Sequence, residues 1–177
     1  MLRLLLPLVI WLLWVAWGEM APAAERQVAA GGDAFSQAVT EAGAGDTLSL
    51  GPGRHAGGLE IAKPLIIDCA TGAEIDGGGQ GSVLVVTAPD VTIRGCLIRG
   101  SGSDHEGIDG GVRLLKGGDR ARVIQNRLIG NLYGVDIHGA RDALVQGNVI
   151  EGRQDRNKNA RGNGVYVWNA PGARVVG

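Results

Sequence analysis

The chain is poor in the residues that bind soft metals and in those that build bulky cores. Its 177 residues include two Cys, two Met, three His and seven aromatics: four Trp, two Tyr and one Phe. Both Met and three of the Trp fall within the first 20 residues. Beyond Ala24 there is no Met, and the aromatics are Phe35, Tyr133, Tyr166 and Trp168 alone. A direct carrier of transition metals offers three or more converging nitrogen or sulfur donors. His55, His105 and His138 are too scattered to signal one. Charge of one sign is also lacking: 17 Lys and Arg face 18 Asp and Glu, a formal net charge of −1. Such a balance implies no strong polyanion or membrane-surface partner.

No apolar run reaches the ~20 residues that cross a bilayer as a helix. Leu4–Trp17 has 14. It follows Arg3 and precedes the small residues Ala21-Pro22-Ala23-Ala24, the order of charge, apolar core and cleavage site found in secretory signal peptides. The expectation is a signal peptide over 1–24 and export of residues 25–177. Retention of the Trp-rich run as a membrane anchor is the alternative.

Gly is abundant instead, at 31 residues, and it punctuates a repeat. Four segments align: SVLVVTAPDVTIRGCLIRG (82–100), GVRLLKGGDRARVIQNRLIG (111–130), GVDIHGARDALVQGNVIEG (134–152) and GVYVWNAPGARVVG (164–177). Each opens with a small residue and an apolar-x-apolar triplet, turns at a short polar segment, and continues into a second strand. In the first three that segment holds Asp90, Asp119 or Asp142, and a third apolar pair ends at Gly. Three short strands per unit of about 23 residues predict an all-β fold, a right-handed parallel β-helix. A β-sandwich with coincidental spacing is the alternative. Two longer stretches, SGSDHEGIDG (101–110) and RQDRNKNARGN (153–163), read as insertions at one corner.

Alternation assigns the faces. Val135, Ile137, Val165 and Val167 are expected to point into the bore. Asp136, His138, Tyr166 and Trp168 are expected to face solvent, with Arg113 one coil below Asp136 as a surface ion-pair partner. The predicted outward column continues down through Arg113 and Leu115 to Leu84 and Val86. Asn126 and Asn148 fall at equivalent turns, where stacked Asn side chains form a hydrogen-bonded ladder.

The N-terminal part follows the same plan less regularly. DAFSQAVTEAG (33–43) predicts a short capping helix, with Asp33 as N-cap, Phe35, Ala38, Val39 and Ala42 as its apolar stripe, and Gly43 as its stop. An open solenoid end needs such a cover. Matching Ile67 to Ile93 on adjacent coils places Cys69 beside Cys96, with Cα atoms roughly 5–6 Å apart. A disulfide between them and two buried thiols are the two possibilities in an oxidising compartment. The last repeat breaks off at Gly177, where the two before it show Gln125-Asn126 and Gly147-Asn148. The expectation is an N-terminal piece of a longer solenoid.

The run GDTLSLGPGRHAGGLEIAKPLIIDCATGAEIDGGGQGSVLVVTAPDVTIRGCLIRGSG (45–102), followed by NLYGVDIHGA (131–140) and RGNGVYVWNAP (161–171), resembles the start of the NosD family, periplasmic proteins of nitrous oxide reductase maturation. IDGGG is common to many sugar-acting β-helices, whereas RGNGVYVWN is more specific. The resemblance implies a periplasmic β-helix that works with membrane ABC transporter subunits, a copper chaperone and nitrous oxide reductase. It implies copper as the cargo of the full assembly, no cofactor held firmly by this segment, and no catalysis by the chain.

The main rival is a polysaccharide lyase or an alginate-epimerase-like β-helix enzyme. The epimerase strand resembles Tyr-Gly-x-Asp-Pro-His-Asp; here Tyr133-Gly134-Val135-Asp136-Ile137-His138-Gly139 keeps the Asp and His but lacks the Pro and the second Asp. Paired carboxylates are what sugar-directed acid–base chemistry uses, so no catalytic residues are expected. Asp136 and His138 alone are also too few to hold copper. The candidate partner-binding residues are therefore Asp136, His138, Tyr166 and Trp168, with Arg153, Arg156, Lys158 and Arg161 from the basic insertion. The other insertion is acidic, with Asp104, Glu106 and Asp109, and reads as a solvated loop or a weak site for a hard cation. Simple shielding of the aromatic patch by neighbouring loops is the competing reading.

Overall fold

The computed structural model describes residues 22–154 and 157–177. The signal-peptide expectation thus lies almost wholly outside the described residues, as does Arg156. The chain opens with β1 (Glu25–Val28) and α1 (Ala34–Glu41) and then winds. The first coil is β2 (Thr47–Leu50), β3 (Gly53–Ala56) and β4 (Leu59–Ile61). The second is β5 (Ile66–Cys69), β6 (Ala73–Asp76) and β7 (Leu84–Val86). The third is β8 (Thr92–Arg94), β9 (Leu97–Arg99) and β10 (Gly110–Leu114). The fourth is β11 (Arg122–Ile124), β12 (Arg127–Ile129) and β13 (Tyr133–His138). The fifth is β14 (Leu144–Gln146), β15 (Val149–Glu151) and β16 (Val165–Trp168), and β17 (Arg174–Val176) follows.

Equivalent strands stack parallel into three sheets, β1-β2-β5-β8-β11-β14-β17, β3-β6-β9-β12-β15 and β4-β7-β10-β13-β16. This is the expected parallel β-helix, wound in the right-handed sense of parallel crossovers. Each sheet sends a column of side chains into the bore. One reads Leu48, Ile67, Ile93, Val123, Val145; a second reads Ile61, Val86, Leu114, Ile137, Val167. Nearly all are fully buried, and burying each stabilises the fold by about 1.5–3 kcal/mol. Val167, in the last coil of this column, is 48% exposed.

The third column begins with a polar residue, His55, followed by Ile75, Ile98, Leu128 and Ile150. His55 is 1% exposed, its Nε2 lies 2.8 Å from the Gly51 carbonyl, and its ring stands edge-on to Phe35. It is packed beneath the cap. α1 covers this end as expected, burying Phe35, Val39 and Ala42. Asp33 occupies the N-cap position but makes no capping bond with its side chain. A strand that the sequence did not announce, β1, pairs with β2 along the sheet edge. Asp46 ties the two together: its carboxylate accepts the Ala24 and Gly43 amides and Arg26 Nε.

Three lateral fasteners hold successive coils in register. Asn126 Oδ1 accepts the Cys96 amide, while its Nδ2 donates to the Ile93 carbonyl and to Asn148 Oδ1. Asn148 in turn donates to Val123, so the ladder is as expected. A second one, Ser101 with Asn131, was not foreseen: Asn131 Oδ1 accepts the Ser101 amide and Ser101 Oγ accepts the Leu132 amide. Cys69 and Cys96 are joined by a disulfide across adjacent coils, with Cα atoms 4.9 Å apart. Gly95 (φ +71°) makes this approach possible, because a Cβ there would meet the Cys69 carbonyl oxygen at 2.9 Å.

One register differs from the sequence reading. Leu84, not Val83, stands opposite Val112, and Val85 stands opposite Arg113. Leu84 and Val86 are therefore fully buried, and Val85 and Thr87 take the outward positions. A one-residue slip exchanges the two faces of a strand.

Candidate functional site

The outward face of β4-β7-β10-β13-β16 carries the chemistry. Its central column runs Glu60, Val85, Arg113, Asp136, Tyr166. Beside it His138 lies directly beneath Trp168. Val135 and Ile137 alternate with these into the bore and are fully buried, so the strand-by-strand geometry places Asp136 and His138 outside the cylinder.

Asp136 is nevertheless 0% exposed, which corrects the expectation that it faces solvent. Arg113 from the coil below supplies Nε at 3.1 Å from Asp136 Oδ2, and Tyr166 stands above in register. The pair is therefore a buried one: the Arg113 side chain is 21% exposed, that of Asp136 not at all. Among the described residues, Asp136 Oδ1 has no hydrogen-bond partner, nor has the buried Nδ1 of His138. Burial pushes the Asp136 carboxyl above its ordinary range, and the hydrogen bond and charge of Arg113, with His138, oppose that only in part.

Aromatic rings frame this pair. Tyr133 and Tyr166 meet edge to face with centroids 5.9 Å apart, and Tyr133 Oη lies 3.5 Å from His105 Nδ1 of the acidic insertion. His138 and Trp168 are 6.4 Å apart at 31°. Trp168 is 58% exposed. Tyr133 and His105 were not singled out in the sequence as part of this face. The YG step before Val135 was the available signal, and His105 comes close only because its loop folds back.

The two insertions do leave one corner, and Arg153 joins them. Its guanidinium donates to the Ser101 and Gly102 carbonyls and to Ser103 Oγ, and its Nε to the Gly130 carbonyl. The side chain is committed inside the molecule. Asp109 is buried and accepts the Asp104 amide, and Asp104 accepts the Glu106 amide. Much of the acidic loop's charge thus orders its own backbone. Lys158 is exposed on a short 3-10 turn, Lys158–Ala160, and its carbonyl accepts the Arg161 amide.

Chemically, this face offers one buried carboxylate held by Arg113, one imidazole, and aromatic surface. Glu60, the other carboxylate of the column, lies three coils away and accepts a hydrogen bond from Thr87. Among the described residues, no group of three or more His, Cys, Asp and Glu side chains converges.

A parallel β-helix with an aromatic outer strip and a capped first coil is the class that this fold and face define. Within it, the chain is similar to NosD proteins. The protein of Stutzerimonas stutzeri named "Probable ABC transporter binding protein NosD" is 39% identical over 127 residues, 72% of this chain and 29% of that one. The protein of the same name in Pseudomonas aeruginosa is 37% identical over 129 residues, 73% of this chain and 30% of that one. The resemblance read from the sequence is thus shown, and it is consistent with an N-terminal portion of NosD. This chain spans less than a third of the length of these two relatives. No family model matches it. Among solved structures, a pectin methylesterase variant in complex with a hexasaccharide gives a TM-score of 0.48 at 16% identity, covering 88% of this chain and 66% of that one.

Proposed function

We propose that the chain is part of a periplasmic, signal-peptide-exported accessory protein that works with a membrane ABC transporter to pass copper, as cargo, toward the copper–sulfur centre of nitrous oxide reductase. The observation that carries the reading is the 37–39% identity to proteins whose name states ABC transporter binding. The outer face agrees with a recognition role. It exposes Trp168 and frames a buried ion pair with Tyr133 and Tyr166, and aromatic anchors beside desolvated charge are typical of interface centres. In this role the chain binds proteins and neither makes nor breaks covalent bonds. The copper chaperone and the reductase are the further partners.

The test is genetic and biochemical together. A host lacking the gene is complemented with the full-length protein or with its Tyr166→Ala/Trp168→Ala variant. Copper content and activity of the purified reductase are measured, along with co-purification of the transporter subunits. The reading expects copper-deficient reductase without the gene and weakened co-purification with the double variant. Reductase fully loaded with copper in the deletion strain overturns it.

A second reading rests on Asp136 itself. A buried carboxyl with a raised pKa next to an imidazole is a general-acid arrangement, as in a β-helix enzyme acting on polysaccharides. Lyase and epimerase assays of the full-length protein on polyuronates distinguish the two readings.

A further inference from the structure

The columns that fill the bore hold one polar side chain, His55, at the foot of Ile75, Ile98, Leu128 and Ile150. Its Nε2 faces the Gly51 carbonyl, so the neutral ring carries its proton there and Nδ1 is left as an acceptor. Among the described residues, that Nδ1 is buried and without a hydrogen-bond partner. An apolar residue at this position avoids the cost of an unpaired buried atom. A second proton costs more still, because it adds a donor and a charge where neither has a partner.

The surrounding elements turn apolar side chains inward: Phe35 and Val39 from α1, Val28 from β1, Leu48 and Leu50 from β2, Ile61 from β4 and Ile75 from β6. Their charged groups are exposed or already paired. Glu41 of α1, Asp33 before it and Glu25 of β1 are exposed. Arg26, which shares the inner face of β1 with Val28, is held by Asp46. Glu60 is taken by Thr87, and Arg54, Glu74, Asp76 and Arg99 pair with one another on the outer face.

The cap rests on uneven supports. Its C-terminal end is fastened: Lys63 Nζ donates to the Thr40 and Ala42 carbonyls at 2.7 Å each, and Asp46 accepts the Gly43 amide. Among the described residues, no hydrogen bond joins residues 32–39 to the coils, so that half of the cap rests on Phe35 and Val39. Gly31 (φ +96°) and Gly32 (φ +53°) precede it, and a Cβ at either would meet nothing within 4 Å. They serve the backbone turn rather than packing. A helix of eight residues does not hold itself in water, so α1 persists only while it is docked.

We propose that His55 is a proton-operated latch on this cap: with the ring neutral α1 stays docked through Phe35, and protonation of Nδ1 releases α1 about Gly31 and Gly32 and uncovers Leu48, Leu50 and Ile61. The closed cap excludes the second proton and the open one accepts it, so opening rises as pH falls through the range of about pH 5–8 in which imidazole titrates. Asp46 acts in a different range. The Ala24 and Gly43 amides, then Arg26, lower its pKa from 3.8, so it stays charged throughout this window. The latch is independent of the transporter reading.

The experiment is amide exchange of the full-length protein at pH 7.5 and pH 5.0, read by mass spectrometry, with each rate divided by that of the unstructured chain at the same pH. Protection of residues 34–42 is expected to fall about tenfold at the lower pH, while Ile93, Val123 and Val145 stay protected. His55→Gln keeps a donor for the Gly51 carbonyl but does not titrate, and its cap is expected to be equally protected at both pH values. His105→Gln, at an exposed residue, keeps the parent's response. Parent protection that does not change with pH overturns the proposal, as does a fall that persists in His55→Gln or vanishes in His105→Gln. If His55→Gln leaves the cap unprotected even at pH 7.5, the His55 ring signal in NMR of the parent decides. A ring that titrates with the same midpoint as the loss of protection supports the latch, and a ring that titrates under a still-protected cap overturns it.

Discussion

Arg113 reaches up one coil to Asp136, Nε to Oδ2 at 3.1 Å, and in doing so supplies the only hydrogen bond that this buried carboxylate has within the described residues. A lone buried charge is costly, whereas a buried pair is often no better than a well-packed apolar pair. Arg113→Ala is therefore expected to destabilise the protein by about 3–5 kcal/mol. Arg113→Met combined with Asp136→Leu is expected to recover most of that loss. Urea unfolding of both variants checks it. A small penalty for Arg113→Ala would mean that solvent already reaches Asp136.

The same carboxylate sets a pH dependence opposite to that of Asp46 at the capped end. Its folded pKa is raised above the ordinary 3.8 by burial, so the folded state holds the proton more tightly. Its contribution is fully present below the ordinary value and is lost as pH rises through the raised one. Asp46 runs the other way. The Ala24 and Gly43 amides, then Arg26, lower its pKa, so its contribution is present above the ordinary value and is lost as pH falls through the lowered one. Melting of Asp136→Asn and Asp46→Asn beside the parent across the acid range is expected to give difference curves of opposite slope. Parallel curves would contradict the assignment.

Asn126 is the more deeply buried of the two ladder asparagines. It is 1% exposed and satisfies the Cys96 amide and the Ile93 carbonyl. Asn126→Ala strands both groups, at about 1–3 kcal/mol each. Asn148→Ala leaves the Val123 carbonyl and the Asn126 amide short of a partner, but at a side chain that is itself only partly buried, where water can enter in its place. The expected order of destabilisation, Asn126 above Asn148, is read from thermal unfolding.

What the sequence revealed and what it hid follow from where each signal resides. The ladder was legible because Asn126 and Asn148 recur at one place in the repeat. The faces of β13 were legible because Val135 and Ile137 alternate with polar residues. The phase of β7 was not, because Val83-Leu84-Val85-Val86 is apolar throughout and a period of two then has no visible origin. β1 was hidden because its Glu-Arg-Gln-Val stretch is an edge strand that buries only Val28. The burial of Asp136 was hidden for another reason: it is created by Arg113 and Tyr166 from adjacent coils, and no local pattern encodes it. Arg153 was expected to serve partner binding as one charge of the basic insertion, and its own use was hidden because its hydrogen bonds reach back some 50 residues.

The Cys69–Cys96 bond closes a loop of 27 residues between the second and third coils. In the chain-entropy account such a loop contributes about 3.5 kcal/mol. Cys69→Ser/Cys96→Ser is expected to lower the melting temperature while leaving the circular dichroism spectrum unchanged, because the Ile67–Ile93 pairing is made by the sheet itself. Thiol counting on the denatured, unreduced protein gives the direct check: two free thiols would mean that the bond does not form.

Arg153 offers the sharpest separation between structural and recognition roles in the insertions. Its guanidinium bridges residues 101–103, while its Nε holds Gly130, so removing it frees both loops at once. Hydrogen bonds from a charged group contribute about 1.5–3 kcal/mol, and here that energy is spent on loop order rather than on the bore. Arg153→Ala is therefore expected to speed amide exchange in residues 101–109 and 157–163, while exchange at Ile93, Val123 and Val145 stays slow. Lys158→Ala, at an exposed position, is expected to leave exchange unchanged everywhere. If both variants weaken partner binding but only Arg153→Ala loosens the loops, Lys158 acts by contact and Arg153 by holding the surface in shape. If Arg153→Ala leaves loop exchange unchanged, the four acceptors do not hold the side chain in solution, and its charge is free for a partner after all.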